Sequence, residues 1–286
     1  MPERIVVTGV GAVSPLGLTA QESWENAVAG VPGVGPITRF DASGYLVQVA
    51  CEVKGFEPTD YFPAREARRR DRVEQMACVA SQEAMCQSGL RAEDTTSGRV
   101  GVVISSAIGG LEALQDAILA TYQQGPRRIS PFAIPMLMSN GSAGMVGIDH
   151  QFQGPSFSVV SACASGADGI GMAWLMLRAG IIDAALAGGA EATITPVGIA
   201  AFDRLGAMSR RDGRSSPTPQ PFDRDRDGLV MGEGAAVLAL ETESHARSRG
   251  ADILAELAGY AATADAYHVT APAEDGTGGA QAMQLA

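Results

Sequence analysis

Short apolar runs alternate with longer amphipathic segments along the chain, and this alternation predicts the elements of the fold. Runs such as 4–17 and 99–110 are apolar at most positions and end in small residues, which is typical of strands buried on both faces. Segments such as 111–125 repeat apolar residues at helical spacing. Strands are predicted within 4–17, 99–110, 157–162, 183–192 and 251–268, helices within 19–30, 64–88, 111–125 and 165–179, and a strand followed by a helix within 234–250.

Strands that alternate with helices indicate an α/β fold. Because the strands are almost continuously apolar, we expect a mostly parallel sheet covered by helices on both faces. Thr19, followed three residues later by Glu22, has the pattern of a capping box at a helix start. The segment 165–179 is apolar on nearly every side and is therefore predicted to be a buried helix.

Composition narrows the class of protein. The chain has 286 residues, 46% of them hydrophobic, as expected for one large or two ordinary globular domains. Its net charge of −11 argues against nucleic acid or an anionic membrane as partner. We find no apolar run long enough to span a membrane and no signal sequence, so the expected location is the cytoplasm. The four cysteines show neither disulfide-scaffold nor zinc spacing.

Two partial motifs suggest ligands but do not complete their patterns. TGVGAVS, residues 8–14, has Ser14 where a dinucleotide-binding turn needs its third glycine. DRDRDG, residues 223–228, begins like a calcium-binding loop, but the position of the last, bidentate ligand falls on Gly234. The incomplete glycine pattern therefore argues against a nucleotide site, and a solvated turn with internal salt bridges is favoured over a calcium site.

A cysteine marks the place where a predicted strand gives way to a predicted helix. Cys163 lies between Ala162 and Ala164 in VVSACASGADGIGMAW, residues 159–174. The start of a helix offers unpaired N–H groups and the positive end of the helix dipole, which favour a thiolate and can hold an oxyanion. Small neighbours would let an extended acyl group approach. A buried cysteine that fills a small space is the alternative, and spacing alone leaves both open.

A basic cluster is conspicuous in so acidic a chain. It comprises REARRRDR, residues 65–72, and later Arg127 and Arg128. Charge runs of this kind usually form a solvated helix face. They can also steer an acidic partner toward one face of a protein.

Around Cys163 the sequence resembles the β-ketoacyl-[acyl-carrier-protein] synthases, condensing enzymes of the thiolase superfamily, and in particular their type II fatty-acid synthase kind. The resembling stretches occur in order along the chain: VVTGVGAVSPLG, QGPRRISPF, GPSFSVVSACASG, AGGAEA, PFDRDRDGLVMGEGA and ADAYHVTAP. The resemblance implies a thiolase-like α/β fold, layered α-β-α-β-α in the full enzyme. It also implies that residues 1–250 form the N-terminal ketosynthase half and that 251–286 begin the C-terminal half with its first strand.

The resemblance implies a decarboxylative Claisen condensation. An acyl group passes from an acyl carrier protein to the thiol of Cys163, and malonyl-carrier protein then loses carbon dioxide. The carbanion attacks the acyl-cysteine thioester and yields a 3-oxoacyl product. Covalent catalysis thus divides one difficult reaction into two easier ones. The family works as a homodimer with acyl carrier protein as partner, and neither a cofactor nor a metal is expected.

The resemblance also assigns roles to individual positions. Cys163 is the nucleophile, and Thr270 contacts the pantetheine arm. The acyl pocket is assigned to Ile108, Ala133, Ala162, Thr193 and Phe202. Carrier-protein docking is assigned to Arg65, Arg68, Arg69, Arg127 and Arg128. Ala133 replaces a phenylalanine that is common in the family, and Thr193 replaces a small alanine, so we expect an altered pocket.

The family's two catalytic histidines lie in H-G-T-x-T and G-H-x-x-G-A motifs, and neither motif occurs in this sequence. His150, His245 and His268 do not match them. We therefore expect a chain that is C-terminally truncated relative to the family and inactive in condensation alone.

Two other functions stay open. The ketosynthase of a polyketide pathway would share the cysteine and its chemistry. A non-condensing partner subunit would resemble the synthase but lack the active cysteine, so Cys163 argues against it. A thiolase that uses coenzyme A fits less well, because the motifs around residues 222–234 match the carrier-protein enzymes better.

Overall fold

The computed structural model describes residues 3–92, 97–213 and 218–286. Its strands are β1 (Ile5–Val13), β2 (Gly35–Pro36), β3 (Val49–Ala50), β4 (Val100–Ser105), β5 (Ser156–Phe157), β6 (Ala184–Glu191), β7 (Gly234–Thr242) and β8 (Ala255–Glu256). Its helices are α1 (Ala20–Val28), α2 (Ala64–Ala67), α3 (Arg72–Ser88), α4 (Leu111–Gln124), α5 (Ala133–Leu137), α6 (Gly141–His150), α7 (Ser165–Arg178), α8 (Pro196–Arg204), α9 (Glu243–Ser248) and α10 (Thr277–Leu285).

The main sheet has the strand order β5-β4-β6-β7-β1-β8. β4 is parallel to both β5 and β6, whereas the pairs β6–β7, β7–β1 and β1–β8 are antiparallel. The prediction of a mostly parallel sheet is therefore wrong, and the sheet is mixed. An apolar run shows that a strand is buried on both faces, but it carries no information about strand direction.

Helices cover both faces of this sheet, as the pattern predicts. Side chains of β6 alternate between the two sides: Ala184 and Leu186 pack in the core beneath α3 and α6, while Ala185 and Ala187 pack beneath α7. Leu186 is fully buried, and burial of one such side chain contributes about 1.5–3 kcal/mol. The α-β-α layers confirm the predicted thiolase-like α/β class.

The glycines of β1 allow a helix to approach the sheet closely. A Cβ added at Gly9 would lie 2.2 Å from the carbonyl oxygen of Ala84, and one at Gly11 would lie 1.9 Å from that of Ala80. Both carbonyls belong to α3. The strand runs through both glycines, whereas the sequence predicted a glycine-rich turn, and the TGVGAVS pattern is explained by helix packing.

The predicted helix over 64–88 is interrupted. α2 ends at Ala67, and Asp71 then caps α3 by accepting a hydrogen bond from the N–H of Val73 (3.1 Å). The Glu74 carboxylate accepts one from the N–H of Asp71 (3.0 Å), which completes a capping box. Hydrophobic spacing alone predicts one continuous helix over this segment, but the capping box at Asp71 starts a second helix.

Other elements differ in extent from the prediction. The strands predicted within 157–162 and 251–268 are reduced to the two-residue β5 and β8. α5, α6 and α8 were not predicted, because their sequences contain proline or glycine and resemble loops. α7 is buried on one side only, since Leu175 is 43% exposed. Within the described ranges, no helix is both long and apolar enough to cross a membrane.

Candidate active site

Cys163 lies at a tight corner between strand and helix. It occupies a 3₁₀ turn, Ala162–Ala164, that leads directly into the fourteen-residue helix α7, and its side chain is exposed. The alternative of a buried, space-filling cysteine is therefore wrong. The thiol is accessible to a substrate at the start of a helix, as the sequence predicted.

The corner places Ala162 in a strained conformation. Its φ of +52° falls in the left-handed region that residues with a Cβ rarely adopt. Ser165 stabilises the corner: its hydroxyl donates to the carbonyl of Ala162 (2.7 Å) and accepts from the N–H of Ser161 (3.0 Å). Backbone strain next to a reactive side chain is common at functional sites, because the surrounding structure must enforce it.

Two N–H groups beside the thiol are already engaged within the turn. The N–H of Ala164 donates to the carbonyl of Ser161 (3.2 Å), and that of Ser165 donates to the carbonyl of Ala162. These two groups are not free to hold an oxyanion. The expectation that the helix start supplies oxyanion donors therefore does not apply to them.

Three predicted site residues follow the carboxyl ends of neighbouring parallel strands. Ile108 follows β4, Cys163 follows β5 and Thr193 follows β6. Parallel strands end at one edge of a sheet, which is where ligands bind in α/β folds. The hydroxyl of Ser105 links two of these ends by accepting a hydrogen bond from the N–H of Val159 (3.1 Å).

Glu191, which the sequence analysis missed, organises the loop that carries Ile108. At the end of β6, its carboxylate accepts hydrogen bonds from the N–H of Ala107 (2.8 Å) and the hydroxyl of Ser106 (3.0 Å). Burial raises the pKa of Glu191 above its usual value, and these hydrogen bonds oppose the rise. An acidic residue directly after a buried apolar strand is the signal that could have revealed it.

Two predicted pocket residues lie beside one small core. Thr193 is buried, and its hydroxyl donates to the sulfur of Met231 (3.6 Å). Phe202, on α8, is partly buried against the cluster that contains Met231 and Ile199. Their side chains support this core, and their role in an acyl pocket stays a prediction.

The remaining predicted contact residues lie on other elements. Ala133 is buried and begins α5. Thr270 is exposed, and its backbone N–H donates to Nδ1 of His268 (3.1 Å). The pocket role of Ala133 and the pantetheine contact of Thr270 both stay predictions.

The structure separates the basic block into inward and outward arginines. Arg70 forms an ion pair with Asp149 (2.6 Å), and Arg72 forms one with Glu233 (2.7 Å). The predicted docking arginines are the outward ones, and we call them the docking patch: Arg65, Arg68, Arg69, Arg127 and Arg128. All are exposed except Arg69, which is half-buried.

One contact joins the two halves of the docking patch. The Arg69 guanidinium carbon lies 4.7 Å from the ring centroid of Phe132, a cation–π arrangement. Phe132 follows Arg127 and Arg128 closely in the chain, so this contact ties Arg69 to the segment that carries them. The sequence predicted that these arginines act together but offered no contact between them.

The DRDRDG segment forms an exposed turn with an ion pair inside it and another to an arginine outside it. Asp227 pairs with Arg211 (3.4 Å), Asp225 pairs with Arg224 (3.5 Å), and Asp223 accepts a hydrogen bond from the N–H of Asp225 (2.7 Å). This is the solvated turn that the sequence favoured.

The layered fold and the cysteine at its strand–helix corner define a condensing enzyme of the thiolase-like class. The family model described as "Beta-ketoacyl synthase, N-terminal domain" matches residues 2–246. The chain belongs to this family and contains a condensing ketosynthase domain.

Individual relatives agree with this assignment. The chain is 45% identical over 284 residues to 3-oxoacyl-[acyl-carrier-protein] synthase 2 of Staphylococcus aureus (strain N315), covering 99% of this chain and 68% of that protein. The solved ishigamide ketosynthase/chain length factor is similar with a TM-score of 0.90 and 31% identity, covering 100% of this chain and 69% of that one. A type II polyketide acyl-carrier protein in complex with its ketosynthase gives a TM-score of 0.89 and 32% identity, with the same coverage.

Proposed function

We propose that this chain accepts an acyl group on Cys163 from an acyl carrier protein, as part of a 3-oxoacyl-[acyl-carrier-protein] synthase that acts in fatty-acid elongation. The observation that carries the proposal is the exposed thiol of Cys163 at the edge where three parallel strands end. The Staphylococcus aureus relative, whose name states this activity, supports it.

The acylation step needs no further reactant. The Cys163 sulfur attacks the thioester carbonyl of the acyl carrier, and a new carbon–sulfur bond forms. The bond to the pantetheine sulfur then breaks, and that sulfur leaves with the proton that the cysteine gave up. Because the thiol is exposed and its neighbours Ala162 and Ala164 are small, a pantetheine-bound acyl group has access to it.

We further propose that the docking patch recognises the carrier protein. Carrier proteins of this kind are acidic, as the family resemblance implies. Four exposed arginines on one patch, in a chain with a net charge of −11, would orient such a partner toward the site. The solved ketosynthase in complex with its acyl-carrier protein supports this partner class.

A homodimer is proposed on the basis of the free sheet edge. β5 is the last strand of the main sheet, and exposed apolar side chains lie near it in the chain: Ile148 is 71% exposed and Val160 is 58% exposed. Unpaired edge strands and apolar patches are common interface features. A second copy of the chain would cover this edge.

We propose that residues 1–250 form the ketosynthase half and that residues 251–286 begin the second half. The family model reaches residue 246, and after it the chain adds only the two-residue β8 to the sheet. Because the sequence lacks the H-G-T-x-T and G-H-x-x-G-A motifs, we propose that these residues alone accept an acyl group without completing the condensation. The cytoplasmic location stays a prediction.

Intact-mass spectrometry after incubation with acyl-carrier protein tests the proposal. Wild-type protein should gain one acyl group, and Cys163→Ala should gain none. Cys86→Ala is the matched control, because Cys86 is the other exposed thiol among the described residues; it should be acylated like the wild type. Survival of the adduct in Cys163→Ala, or its absence from the wild type, would show the assignment to be wrong.

The second candidate is the ketosynthase of a polyketide pathway. One similar solved structure, the acyl-carrier protein in complex with its ketosynthase, belongs to such a system, and Ala133 and Thr193 depart from the fatty-acid pattern. Saturated acyl carriers and poly-β-ketoacyl carriers can be offered in competition. Preferential acylation of Cys163 by the saturated acyl group supports fatty-acid elongation, and the opposite preference supports the polyketide function.

A further inference from the structure

The docking patch is linked through Phe132 and α5 to the loop that carries Ile108. We call residues 106–110 the pocket loop. We propose that Phe132, held by Arg69, is a positioning residue that supports the pocket loop, so that the docking surface and the acyl pocket are mechanically joined. This inference rests on the proposed function and extends it to a residue outside the predicted site.

The first link is the stacking of Arg69 on Phe132. The guanidinium carbon lies 4.7 Å from the ring centroid, and Arg69 also forms an ion pair with Glu66 (3.1 Å). A guanidinium over the face of an aromatic ring is attracted by the negative charge of that face. Within the described ranges, Arg69 is therefore the docking arginine whose side chain contacts an aromatic ring of the segment that follows Arg127 and Arg128.

The second link runs from Phe132 into α5. Phe132 immediately precedes this helix, and its carbonyl accepts a hydrogen bond from the N–H of Met136 (3.0 Å). The N–H of Phe132 donates to the hydroxyl of Ser130 (3.1 Å). The ring thus belongs to the first turn of α5, and a displacement of the ring displaces that turn.

The third link is the close approach of α5 to the pocket loop. The N–H of Gly110 donates to the carbonyl of Leu137 (3.3 Å). A Cβ at Gly110 would lie 2.0 Å from the carbonyl oxygen of Met136, and one at Gly109 would lie 2.5 Å from that of Leu137. Backbone therefore packs directly on backbone, and Ile108 is the next residue along the loop.

A parallel contact starts two residues after Arg69. The Asp71 carboxylate accepts a hydrogen bond from the N–H of Ala113 (3.0 Å), at the start of α4. A Cβ at Gly110 would also lie 2.9 Å from the carboxyl carbon of Asp71. The pocket loop is thus contacted by Asp71 and α5, and by Glu191 at the end of β6.

Acyl-pantetheine thioesters isolate the effect of Phe132 and Arg69 on the acyl pocket, because these substrates lack the carrier protein and do not use the docking patch. The rates of Cys163 acylation by hexanoyl- and dodecanoyl-pantetheine are compared in the full chain. A long acyl group depends more on the pocket wall, so Phe132→Leu should slow dodecanoyl transfer more than hexanoyl transfer. The ratio of the two rates should change roughly 2- to 30-fold, the range typical of coupling through packed side chains.

Four further variants separate positioning from general damage. Phe132→Tyr keeps the ring and should restore the wild-type ratio. Arg69→Ala should shift the ratio as Phe132→Leu does, and the double variant should shift it no further, since both remove one contact. Arg91→Ala, which removes an exposed arginine beyond the far end of α3, is the control. An unchanged ratio in Arg69→Ala, or additive effects in the double variant, would overturn the inference.

Hydrogen exchange gives a readout that does not depend on acylation. Phe132→Leu and Arg69→Ala should both raise amide exchange in the pocket loop, with little change in β1. Unchanged exchange in the pocket loop would contradict its support by Phe132 and Arg69, even if acylation fails in every variant. If the wild type forms no acyl adduct on Cys163 while both variants show the expected exchange pattern, the proposed function is contradicted. The link from Arg69 and Phe132 to the pocket loop is then still supported.

Discussion

Gly189 on β6 lies so close to Gly166 on α7 that a Cβ on Gly189 would be only 2.9 Å from the Cα of Gly166. The two glycines bring the first turn of α7 onto the sheet three residues after Cys163. A Cβ on Gly166 would have more room, because it would lie 3.6 Å from the Cα of Gly189, which is an ordinary contact.

Gly189→Ala should therefore destabilise the protein and slow acylation of Cys163. The added methyl group overpacks a backbone contact, which typically costs about 1–3 kcal/mol. Gly166→Ala is the matched control: its methyl group fits, and alanine favours a helix over glycine by up to about 1 kcal/mol. Urea unfolding should show a loss for Gly189→Ala and none for Gly166→Ala; equal losses would contradict the packing argument.

Reversal of charge at Arg127 and Arg128 should weaken carrier-protein recognition. The double change to glutamate should raise KM for acyl-carrier protein in the acylation of Cys163 by about tenfold or more, with little change in the limiting rate, because charges at a rim act mainly on encounter. Added salt should reduce the difference. Arg91→Glu, beyond the far end of α3, provides the control. An unchanged KM in the double variant would contradict the proposed docking patch.

The buried carboxyl group of Glu74 should make stability fall as pH rises. Its Oε1 has no hydrogen-bond partner within the described ranges, and burial, helped by the nearby charge of Asp71, raises the pKa of Glu74 to about 8. The ordinary value of 4.5 holds in the unfolded chain, so the folded chain binds the extra proton between pH values of about 4.5 and 8. Its contribution to stability is therefore lost progressively across that window.

Glu74→Gln should remove this dependence. Between pH 5.5 and 7.5 the free energy of unfolding should then fall less steeply, and the slope should decrease by up to about 1.4 kcal/mol per pH unit. Burial raises the pKa of Asp71 to about 6, so Asp71 should account for part of the remaining slope. Glu274→Gln, at an exposed position, should leave the slope unchanged. A slope in Glu74→Gln equal to that of the wild type would contradict the assignment of a buried neutral carboxyl group.

Glu241 should have the opposite effect on the pH dependence of stability, because its contribution is lost at low pH. Burial alone would raise its pKa, but hydrogen bonds from Arg249 (2.5 Å), His245 (2.6 Å) and Thr8 (2.6 Å) outweigh burial and lower the pKa to about 2. Because the unfolded value is higher, the stabilisation is present above a pH of about 4.5 and is lost as the pH falls toward 2.

Glu241→Gln removes the buried carboxylate that pairs with Arg249 and should cost about 3–5 kcal/mol. Urea unfolding at pH 7, with and without added salt, measures this loss, which should persist in high salt. Glu243→Gln is the comparison, since Glu243 pairs with Arg4 at the surface and its contribution should be screened by salt. A loss in Glu241→Gln that salt abolishes would contradict the buried network.

Local patterns in the sequence were sufficient for several parts of the site. The apolar run before Ala162 and the small residues after Cys163 correctly predicted a corner and a helix start, although the strand before them is reduced to the two-residue β5. Thr19 was correctly predicted to cap α1, because a cap depends on residues a few positions apart. The pairing of Arg69 with Phe132 and the support of Ile108 by Glu191 were not predictable in this way, since their partners lie far away in the chain.

The sequence by itself determined the α/β class, most strand and helix positions, the placement of Cys163 at a helix start and the family resemblance, because each depends on the spacing of neighbouring residues. Only the tertiary structure decided that β7 runs antiparallel to β6, that α7 approaches β6 at Gly189, and that α5 packs on the pocket loop. These features depend on contacts between segments tens of residues apart. Hydrophobic periodicity identifies which faces are buried, but only packing decides which buried face meets which.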